Sequence, residues 1–375
     1  MKKFNLMQVV PSLRSGGVEQ ATIDVANYLA ETEIKNYIAS RGGQMLSYLN
    51  KRYVEHYTMP VHSKNFLLMP FVARKMNKII NENNVNILHI RSRAPAWLLP
   101  YINKRKLKTV STFHNVYGYN NMIKKIYTRQ LSNVDNIVAI SKYVKEEIVK
   151  NYRINQNKIS VINRGIDVNF LNADIDNQEN FIHFTNKYRI NMQNKIILFP
   201  GRLTGWKGQL EFLKIAEYFK EEPIVFYFVG DDKKNTSYLK KLNQEINKKN
   251  LNHNCRILGH LNKNELKTMY KCSDVVISAP LKPEGFGRIV SETLSMKKII
   301  LAYDFGGARN QLDGLDSIYK IMPHDFNEMK NKIINVLQLT ESQIDNMGIV
   351  ARQHVINKFS KEKMLSSYIN FYESL

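Results

Sequence analysis

Cysteine is scarce in this sequence, and long apolar runs are missing. The 375 residues contain only Cys255 and Cys272, without a Cys-x-x-Cys pair, which argues against a disulfide framework or a thiolate metal site and favours a reducing, cytoplasmic location. No stretch reaches the roughly 18 to 20 consecutive apolar residues of a membrane-spanning helix, so any membrane contact is expected to be peripheral. No Asp-x-Asp pair directly follows a candidate strand, so we expect no bound metal.

Acidic residues are also few, 33 against 55 lysines and arginines, for a formal charge of +22. Such a charge favours an anionic partner: a nucleic acid, an acidic membrane or a phosphate-bearing substrate. Between Asn103 and Arg153, eleven basic residues stand against three acidic ones. The alternative is a compositional bias in which most lysines merely solvate helix faces. A nucleic-acid-binding protein stays open as a different class, although no zinc finger, aromatic-rich RNP segment or continuous basic helix is present.

Short β-branched runs alternate with longer amphipathic segments, which indicates βαβ units and parallel sheets. The pattern lapses in a polar segment at 171–185 and then restarts. We therefore predict an α/β fold of two Rossmann-like doubly wound domains, at 1–170 and 186–345, with ligands at the carboxyl ends of the strands. The predicted strands are Phe4–Val10, Ile87–Ile90, Thr109–Phe113, Asn136–Ile140, Ile159–Ile162, Ile196–Phe199, Ile224–Val229, Arg256–Leu258, Val275–Ser278 and Ile299–Ala302.

Three glycine-containing loops follow predicted strands. In the last of them, Glu284, Gly285, Phe286 and Gly287 precede a predicted helix that carries Glu292. Backbone N–H groups at a helix start favour phosphate, and the helical rise predicts about 12 Å between the two carboxylates. One carboxylate could then reach a sugar and the other a ribose; the alternative is a solvated Glu292 and a Glu284 beside the helix cap.

The other two loops have related features. Arg202 and Lys207 lie between Gly201 and Gly208, and a planar guanidinium beside a point charge suits two adjacent phosphates. The first loop, with Gly16 and Gly17, is not a Gly-x-Gly-x-x-Gly motif, which disfavours a nicotinamide cofactor. Gly16 and Gly17 instead allow a ligand to approach closely.

In this order and spacing the motifs resemble glycosyltransferase family 4, with its GT-B fold of two facing Rossmann-like domains and a cleft between them. The resemblance covers essentially the whole chain and rests on these stretches: Gly16-Gly17-Val18-Glu19, Gly201-Arg202-Leu203, Lys207-Gly208, Glu284-x7-Glu292 and Gly306-Gly307. It implies a retaining hexosyl transfer from a nucleotide-diphosphate sugar, a UDP-sugar ahead of a GDP- or ADP-sugar, with no cofactor and no metal. It also implies that the terminal helices, 346–375, pack back on the first domain.

The resemblance assigns roles residue by residue. It places Arg202 and Lys207 on the diphosphate, Glu284 on the hexose hydroxyls, Glu292 on the ribose, and Gly285 to Gly287 as backbone donors. Leu258 and His260 match the segment that lines the nucleobase, and His114 matches the histidine near the reacting sugar; without the family, His114 reads as a residue that caps a strand end. Where the family commonly has an acidic residue after Gly306-Gly307, this chain has Asn310 and Gln311, so a hydroxyl contact is expected to differ.

Two further segments suggest the acceptor. Arg91 and Arg93 follow one predicted strand and Arg164 follows another, and they resemble the subgroup that builds lipopolysaccharide core or related envelope glycans. Arginines at strand ends suit an acidic or phosphorylated acceptor, and ion pairing with a neighbouring loop is the alternative. The predicted partners are a nucleotide-sugar and a lipid-linked or saccharide acceptor, with peripheral contact at the anionic inner leaflet. A nucleotide-sugar epimerase or a sugar phosphorylase of the same fold stays open.

Overall fold

Buried parallel strands alternate with helices in the computed structural model, which describes residues 4–32, 34–117, 121–175, 178–230 and 236–375. The chain divides into two units. The first comprises Met1–Gly165 and Glu362–Leu375, and the second comprises Ile166–Lys361. No helix of the described residues is long and apolar enough to cross a membrane.

The first unit is built on a parallel sheet of seven strands in the order β3-β2-β1-β4-β5-β6-β7. The order runs outward on one side from β1 and then restarts on its other side with β4, so the topological switch point lies between β1 and β4. The strands are β1 (Leu6–Val9), β2 (Asn36–Ser40), β3 (Val54–Thr58), β4 (Ile87–Ile90), β5 (Lys108–Phe113), β6 (Asn136–Ala139) and β7 (Ile159–Val161).

Four helices of this unit connect the strands, because each parallel crossover needs a covering element on a sheet face. They are α1 (Gly17–Glu31), α2 (Met69–Glu82), α3 (Met122–Arg129) and α4 (Lys142–Tyr152). Short 3₁₀ turns at Phe66–Leu68 and Pro95–Tyr101 precede α2 and follow β4. The apolar side chains of α1, such as Val25 and Leu29, pack on the sheet core.

The second unit repeats the architecture with six parallel strands in the order β10-β9-β8-β11-β12-β13, so its switch point lies between β8 and β11. The strands are β8 (Lys195–Pro200), β9 (Ile224–Val229), β10 (Cys255–Gly259), β11 (Val275–Ser278), β12 (Ile299–Tyr303) and β13 (Lys320–Ile321). The helices are α5 (Gln178–Lys187), α6 (Gln209–Tyr218), α7 (Thr236–Lys248), α8 (Lys263–Cys272), α9 (Arg288–Ser295), α10 (Gly306–Leu312), α11 (Phe326–Leu337) and α12 (Glu341–Phe359). Two doubly wound α/β domains are thereby confirmed.

A final helix, α13 (Lys361–Glu373), returns to the first unit. Its apolar residues Leu365 and Ile369 join the core of that unit. The hydroxyl of Tyr372 lies 2.6 Å from Nδ1 of the fully buried His89. This helix therefore completes both the apolar core and the buried polar contacts of the first sheet.

The unit boundaries differ from those predicted. Of the segment 346–375, only the part from Glu362 joins the first unit, whereas α12 belongs to the second. Arg352 of α12 explains this, since its guanidinium donates to the carbonyls of Leu171 at 2.8 Å and Val168 at 3.0 Å. The first unit ends at Gly165, and the predicted linker 171–185 lies inside the second unit and overlaps α5; residues 176 and 177 of it lie outside the described residues.

Candidate active site

The loops after β8 and β11 lie side by side at the switch point of the second unit. The two strands pair directly, with Val275 opposite Ile197, so their carboxyl ends meet at one edge of the sheet. The main-chain N–H of Leu281 donates to the carbonyl of Trp206 at 2.8 Å. This bond joins the loop that carries Arg202 and Lys207 to the loop that carries Glu284.

Lys207 and Glu284 form an ion pair across this junction. Nζ of Lys207 donates to Oε1 of Glu284 at 2.6 Å, and the two side chains keep 10% and 17% of their surface exposed. The ammonium group also lies 4.8 Å from the ring centroid of Trp206. Charges that are largely removed from water interact strongly with each other, so this pair ties the loop after β8 to the loop after β11.

Gly208 allows the two loops to approach each other. Its φ is +87°, which is left-handed backbone, and a Cβ atom there would lie 2.3 Å from the carbonyl oxygen of Ala279. Any side chain would therefore clash with the strand-end residue of the neighbouring loop. Gly208 thus allows the two loops to lie close enough for Lys207 to contact Glu284.

Arg202 is solvent-exposed on the same loop, with its guanidinium carbon 6.0 Å from the ring centroid of Trp206. Its carbonyl oxygen accepts a hydrogen bond from Nε2 of the buried Gln209 at 3.1 Å, which fixes the backbone of the loop. Its side chain can reach a ligand without first leaving a buried contact.

Glu292 lies on α9 with two partners. Its Oε1 accepts from Arg288 at 2.9 Å and its Oε2 accepts from the hydroxyl of Tyr270 at 3.0 Å. Burial, together with the Glu292 carboxylate, raises the pKa of Tyr270 well above its usual range, so the hydroxyl keeps its proton and donates. The sequence had not pointed to Tyr270, because it lies on α8, 22 positions away.

The spacing argument for the two carboxylates was wrong. The helix α9 begins at Arg288, and Gly287 is its N-cap, so Glu284 lies in the loop ahead of it and Glu292 lies one turn inside. The rise of 1.5 Å per residue applies only within a helix and sets no distance between Glu284 and Glu292.

Gln311 braces the glycine loop. It is fully buried; its Oε1 accepts from the main-chain N–H and the hydroxyl of Ser291, and its Nε2 donates to the carbonyls of Phe286 and Gly307. The N–H of Gly307 in turn donates to the carbonyl of Glu284 at 2.8 Å. Gln311, one of the two residues found where the family commonly has an acidic residue, is therefore a buried side chain that holds the backbone of 284–287. It has no exposed surface with which to contact a sugar hydroxyl.

Phe286 is buried in the second unit, and the predicted nucleobase segment lies at the end of β10. The side chain of Phe286 is buried, with its ring centroid 6.0 Å from that of Phe359, so only its main chain faces the loop. Leu258 is half-buried in β10 and His260 is exposed just after it. The N–H of Gly230, after β9, donates to the carbonyl of Gly259 at 2.8 Å, and this bond places the ends of β9 and β10 together at the same edge.

In the first unit, Gly17 and Arg164 are in contact. A Cβ atom on Gly17 would lie 2.4 Å from Nη1 of Arg164, so the guanidinium group occupies the space that a side chain would need. Gly16, the N-cap of α1, is exposed. Gly17, which follows β1 at the start of α1, and Arg164, which follows β7, are thus brought together at the edge of the sheet where the sequence predicts ligands to bind.

His114 holds the other side of Arg164. Its Nε2 lies 3.0 Å from the carbonyl oxygen of Arg91, and its Nδ1 lies 3.1 Å from Nη2 of Arg164. A carbonyl only accepts, so the proton is assigned to Nε2, and Nδ1 accepts from Arg164. Burial and the charges of Arg164 and Arg91 hold the pKa of His114 well below its usual range, so the ring is neutral at pH 7.

The predicted acceptor role of Arg91 was wrong. The residue has no exposed surface; Nε and Nη2 donate to Oε1 of Gln8 at 2.9 and 2.5 Å, and Nη1 donates to the hydroxyl of Tyr368 at 2.9 Å. Burying a guanidinium is expensive unless its donors find partners, and these three hydrogen bonds supply partners from within the first unit. Arg93 is half-buried instead, with its guanidinium carbon 4.2 Å from the ring centroid of Tyr117.

Neither cysteine is oxidised. Cys255 and Cys272 are free and buried, and burial raises the pKa of the Cys255 thiol to about 12. Within the described ranges, no three His, Cys, Asp or Glu side chains cluster in a way that could hold a metal ion.

Comparison with known proteins gives a family for both halves of the chain. Residues 15–170 match the family described as Glycosyltransferase Family 4, and residues 181–354 match Glycosyl transferases group 1. The first match covers most of the first unit and runs five residues past its boundary at Gly165, and the second match lies within the second unit.

Three relatives illustrate the range of similarity. A glycosyltransferase structure from Rickettsia africae is 32% identical with a TM-score of 0.90, covering 100% of this chain and 99% of that one. Anabaena HepE, solved in complex with UDP, is 18% identical with a TM-score of 0.81, covering 99% of this chain and 100% of HepE. The Saccharomyces cerevisiae phosphatidylinositol N-acetylglucosaminyltransferase GPI3 subunit is 24% identical, over 70% of this chain.

The alignment with the yeast subunit spans only 58% of that protein's length, so little more than half of it has a counterpart here. The Rickettsia structure, in contrast, corresponds from end to end at 32% identity. Together with the family matches in both units, this similarity shows that the chain belongs to glycosyltransferase family 4 and has the GT-B fold.

Proposed function

We propose that the chain transfers a hexosyl group, with retention of configuration and without a metal ion, from a UDP-sugar to a lipid-linked envelope glycan such as lipopolysaccharide core. The observation that carries this proposal is the buried pair of Lys207 and Glu284, with Arg202 beside it, at the switch point of the second unit. Cations placed where a ligand binds at strand ends suit a nucleotide diphosphate.

The chemistry requires the departing diphosphate to be neutralised. In the proposed complex, Lys207 and Arg202 supply two positive charges to its oxygens, a task that a divalent cation performs in other phosphoryl-group sites. Glu284 orients Lys207 before the donor binds, and its second oxygen accepts hydrogen bonds from sugar hydroxyls. The N–H groups of Gly285 to Gly287, held by Gln311, face the same ligand.

Further substrate contacts are proposed for each unit by itself. Glu292, oriented by Tyr270 and Arg288, accepts from the ribose hydroxyls, and Leu258 and His260 line the base. In the first unit, neutral His114 holds Arg164 next to Gly17. This fixed guanidinium, rather than the imidazole, is then the charged group offered to substrate.

The relatives support the choice of donor and acceptor class. HepE is solved with UDP, which supports a uridine nucleotide. The name of the yeast subunit describes transfer to phosphatidylinositol, which supports an acceptor carried by a lipid. Arg93 and Arg164, both half-buried and cationic, are the proposed contacts for an acidic group on that acceptor.

Thermal unfolding in the presence of UDP-, GDP- and ADP-sugars tests the proposal. Any ligand that binds only the folded state raises its stability, by about 2.7 kcal/mol at a hundred times the dissociation constant. We expect a rise with the UDP-sugar that is absent in Lys207→Ala and retained in Lys240→Ala, a matched change of an exposed lysine on α7.

Product analysis then separates the same-fold alternatives. A transferase consumes donor only when acceptor is present and yields a glycoside with the donor's anomeric configuration, whereas an epimerase consumes donor alone. The proposal fails if no nucleotide-sugar stabilises the protein, or if donor is converted to an isomer without acceptor.

A further inference from the structure

Several large apolar side chains of the first unit are exposed to solvent. Leu67 keeps 81% of its surface, Ile123 79%, Phe71 74%, Met122 73% and Ile126 55%. They come from two places in the sequence, the 3₁₀ turn and first turn of α2 and the helix α3. We call these five residues the apolar patch. Isolated exposed apolar residues are ordinary on protein surfaces, but a cluster of this kind marks an interaction site.

A run of aromatic rings joins the two parts of the apolar patch. The ring of Phe66 lies 4.4 Å from that of Trp97, and the ring of Trp97 lies 5.8 Å from that of Tyr127. Phe66 is the neighbour of Leu67, and Tyr127 follows Ile126 on α3. The two exposed segments therefore stand on one continuous aromatic base, and Trp97 at its centre is one of the two tryptophans in the chain.

The segment of sequence that contains the apolar patch is strongly basic. From His56 to Val134 the sequence contains thirteen lysines and arginines but a single acidic residue, Glu82, which pairs with Lys78 at 3.6 Å. The basic residues next to the patch, Arg74 and Lys124 among them, are exposed. Such a surface is complementary to an anionic bilayer, in which lipid tails receive the apolar tips and phosphate groups receive the cations.

The geometry of α3 suits that arrangement. At about 100° per residue, its three patch residues fall within an arc of about 100°, with Lys124 on one side and Lys125 on the other. Long lysine side chains beside an apolar arc can bury their methylene groups and still reach the headgroup level. The helix starts at a formed cap, where the side chain of Asn121 accepts from the N–H of Lys124 at 3.0 Å.

We propose that the apolar patch inserts into the interface of an anionic membrane while the surrounding lysines and arginines bind its headgroups. The assignment deepens the proposed function, on which it rests for the membrane-borne acceptor: it names the surface that brings the enzyme to that acceptor. Two short segments insert side by side, and no helix in the part of the chain that the structure describes is long and apolar enough to cross the bilayer.

Co-sedimentation with vesicles tests this without any sugar substrate. The parent protein is mixed with vesicles of equal parts phosphatidylglycerol and phosphatidylcholine, or of phosphatidylcholine alone, at low and at raised salt. We expect binding to the anionic vesicles that weakens with salt, because screening acts within about 10 Å at 0.1 M. Insertion is read separately, in a Trp206→Phe protein, as quenching of Trp97 fluorescence by brominated phosphatidylcholine in the anionic vesicles.

Two paired variants separate insertion from simple charge attraction. Leu67→Ser with Ile123→Ser removes apolar tips, and Lys124→Gln with Lys125→Gln removes charge; each pair is expected to weaken binding at least about tenfold. The matched controls lie in the second unit and should bind like the parent: Ile349→Ser with Val350→Ser, both exposed on α12, and Lys240→Gln with Lys241→Gln, both exposed on α7.

Each outcome either supports or overturns insertion of the apolar patch into the membrane. Loss of binding in both patch variants but in neither control supports the proposal. Unchanged binding by the serine pair, absence of quenching, or failure of the parent to bind overturns it, and so does a parent dimer that the serine pair dissociates, since a second copy then covers the patch. None of these outcomes bears on stabilisation by UDP-sugars, so the transferase proposal is judged independently.

Discussion

Lys207 and Glu284 are 77 positions apart in the sequence, yet Nζ of the lysine lies 2.6 Å from Oε1 of the glutamate and both side chains are largely shielded from water. A shielded ion pair is strongly disturbed when one partner alone is removed, because the other is left as an unpaired charge. Each member of the pair therefore affects the fold as well as the proposed chemistry, and mutants must be measured for both.

Replacement of either Lys207 or Arg202, the two cations of the loop after β8, should slow the reaction. We expect Lys207→Ala and Arg202→Ala each to lower kcat/KM by an amount equivalent to about 2 to 4 kcal/mol, since each loses a charge-assisted contact to the developing diphosphate. Stability should fall only in Lys207→Ala, because Arg202 is exposed. Steady-state kinetics and thermal unfolding measure the two effects, with Lys240→Ala as control. Unaltered kinetics in both folded mutants would remove the diphosphate assignment.

The two glutamates should affect different parts of the donor. Glu292→Gln is expected to weaken the binding of free nucleotide diphosphate, whereas Glu284→Gln mainly reduces turnover of the intact nucleotide-sugar. Tyr270→Phe should resemble a milder Glu292→Gln, because it removes only one of the hydrogen bonds that orient the carboxylate. Calorimetric titration with UDP provides the measurement. The reverse ranking, with UDP affinity lost in Glu284→Gln and kept in Glu292→Gln, would exchange the two roles.

Activity should survive chelation. The proposed mechanism uses Arg202 and Lys207 for the charge of the diphosphate, so dialysis against EDTA is expected to leave turnover unchanged. The assay compares chelated enzyme with and without added Mn²⁺ or Mg²⁺. A loss of activity that either metal restores would show that the donor binds in another way.

Arg91 should matter for stability. Arg91→Ala removes a fully buried side chain and leaves Oε1 of Gln8 without its donors, so we expect a loss of about 2 to 4 kcal/mol in the free energy of unfolding. Urea denaturation measures it. Arg93→Ala, at a half-buried site on the ring of Tyr117, should cost about 1 kcal/mol or less. Equal stability of the two mutants would contradict the buried role of Arg91.

Stability should decline on mild acidification, in part through His89. Its ring is fully buried between Tyr372 and Thr112, and burial, with the charges of Arg91 and His114, holds its pKa well below the usual value. Below about pH 6.5, His89 becomes protonated in the unfolded chain but stays neutral in the folded chain. The free energy of unfolding therefore falls by up to about 1.4 kcal/mol per pH unit for this group as the pH is lowered. Above pH 7 both states are neutral and the effect vanishes.

Denaturation curves between pH 7 and pH 5 show this slope, and His89→Gln, which does not titrate, should make it shallower. A slope that the substitution leaves unchanged would mean that His89 does not contribute.

The sequence predicted the loops better than the side chains within them. Strand–glycine–helix patterns located the Arg202 and Glu284 loops and their sheet edge, because such patterns are local. The strands β2, β3 and β13 were not predicted: β2 contains the polar Asn36 and Ser40, fully buried, and β13 has two residues. Arg91 was read as a ligand contact because its partner Tyr368 lies 277 positions away, and no local pattern indicates that the guanidinium points into the sheet.

The first unit is discontinuous in the sequence, since its sheet comes from the first 165 residues and its closing helix α13 comes from the last. Tyr368 and Tyr372, whose hydroxyls hydrogen-bond to Arg91 and His89, thus lie in the part of this unit that leaves the ribosome last. During synthesis the sheet is complete while His89 and Arg91 each still lack one of their hydrogen-bond partners, whereas the second unit, a continuous segment, has every residue it needs. We therefore expect the second unit to reach its native state first, and nascent chains truncated before residue 362 to be the ones that proteases and chaperones recognise.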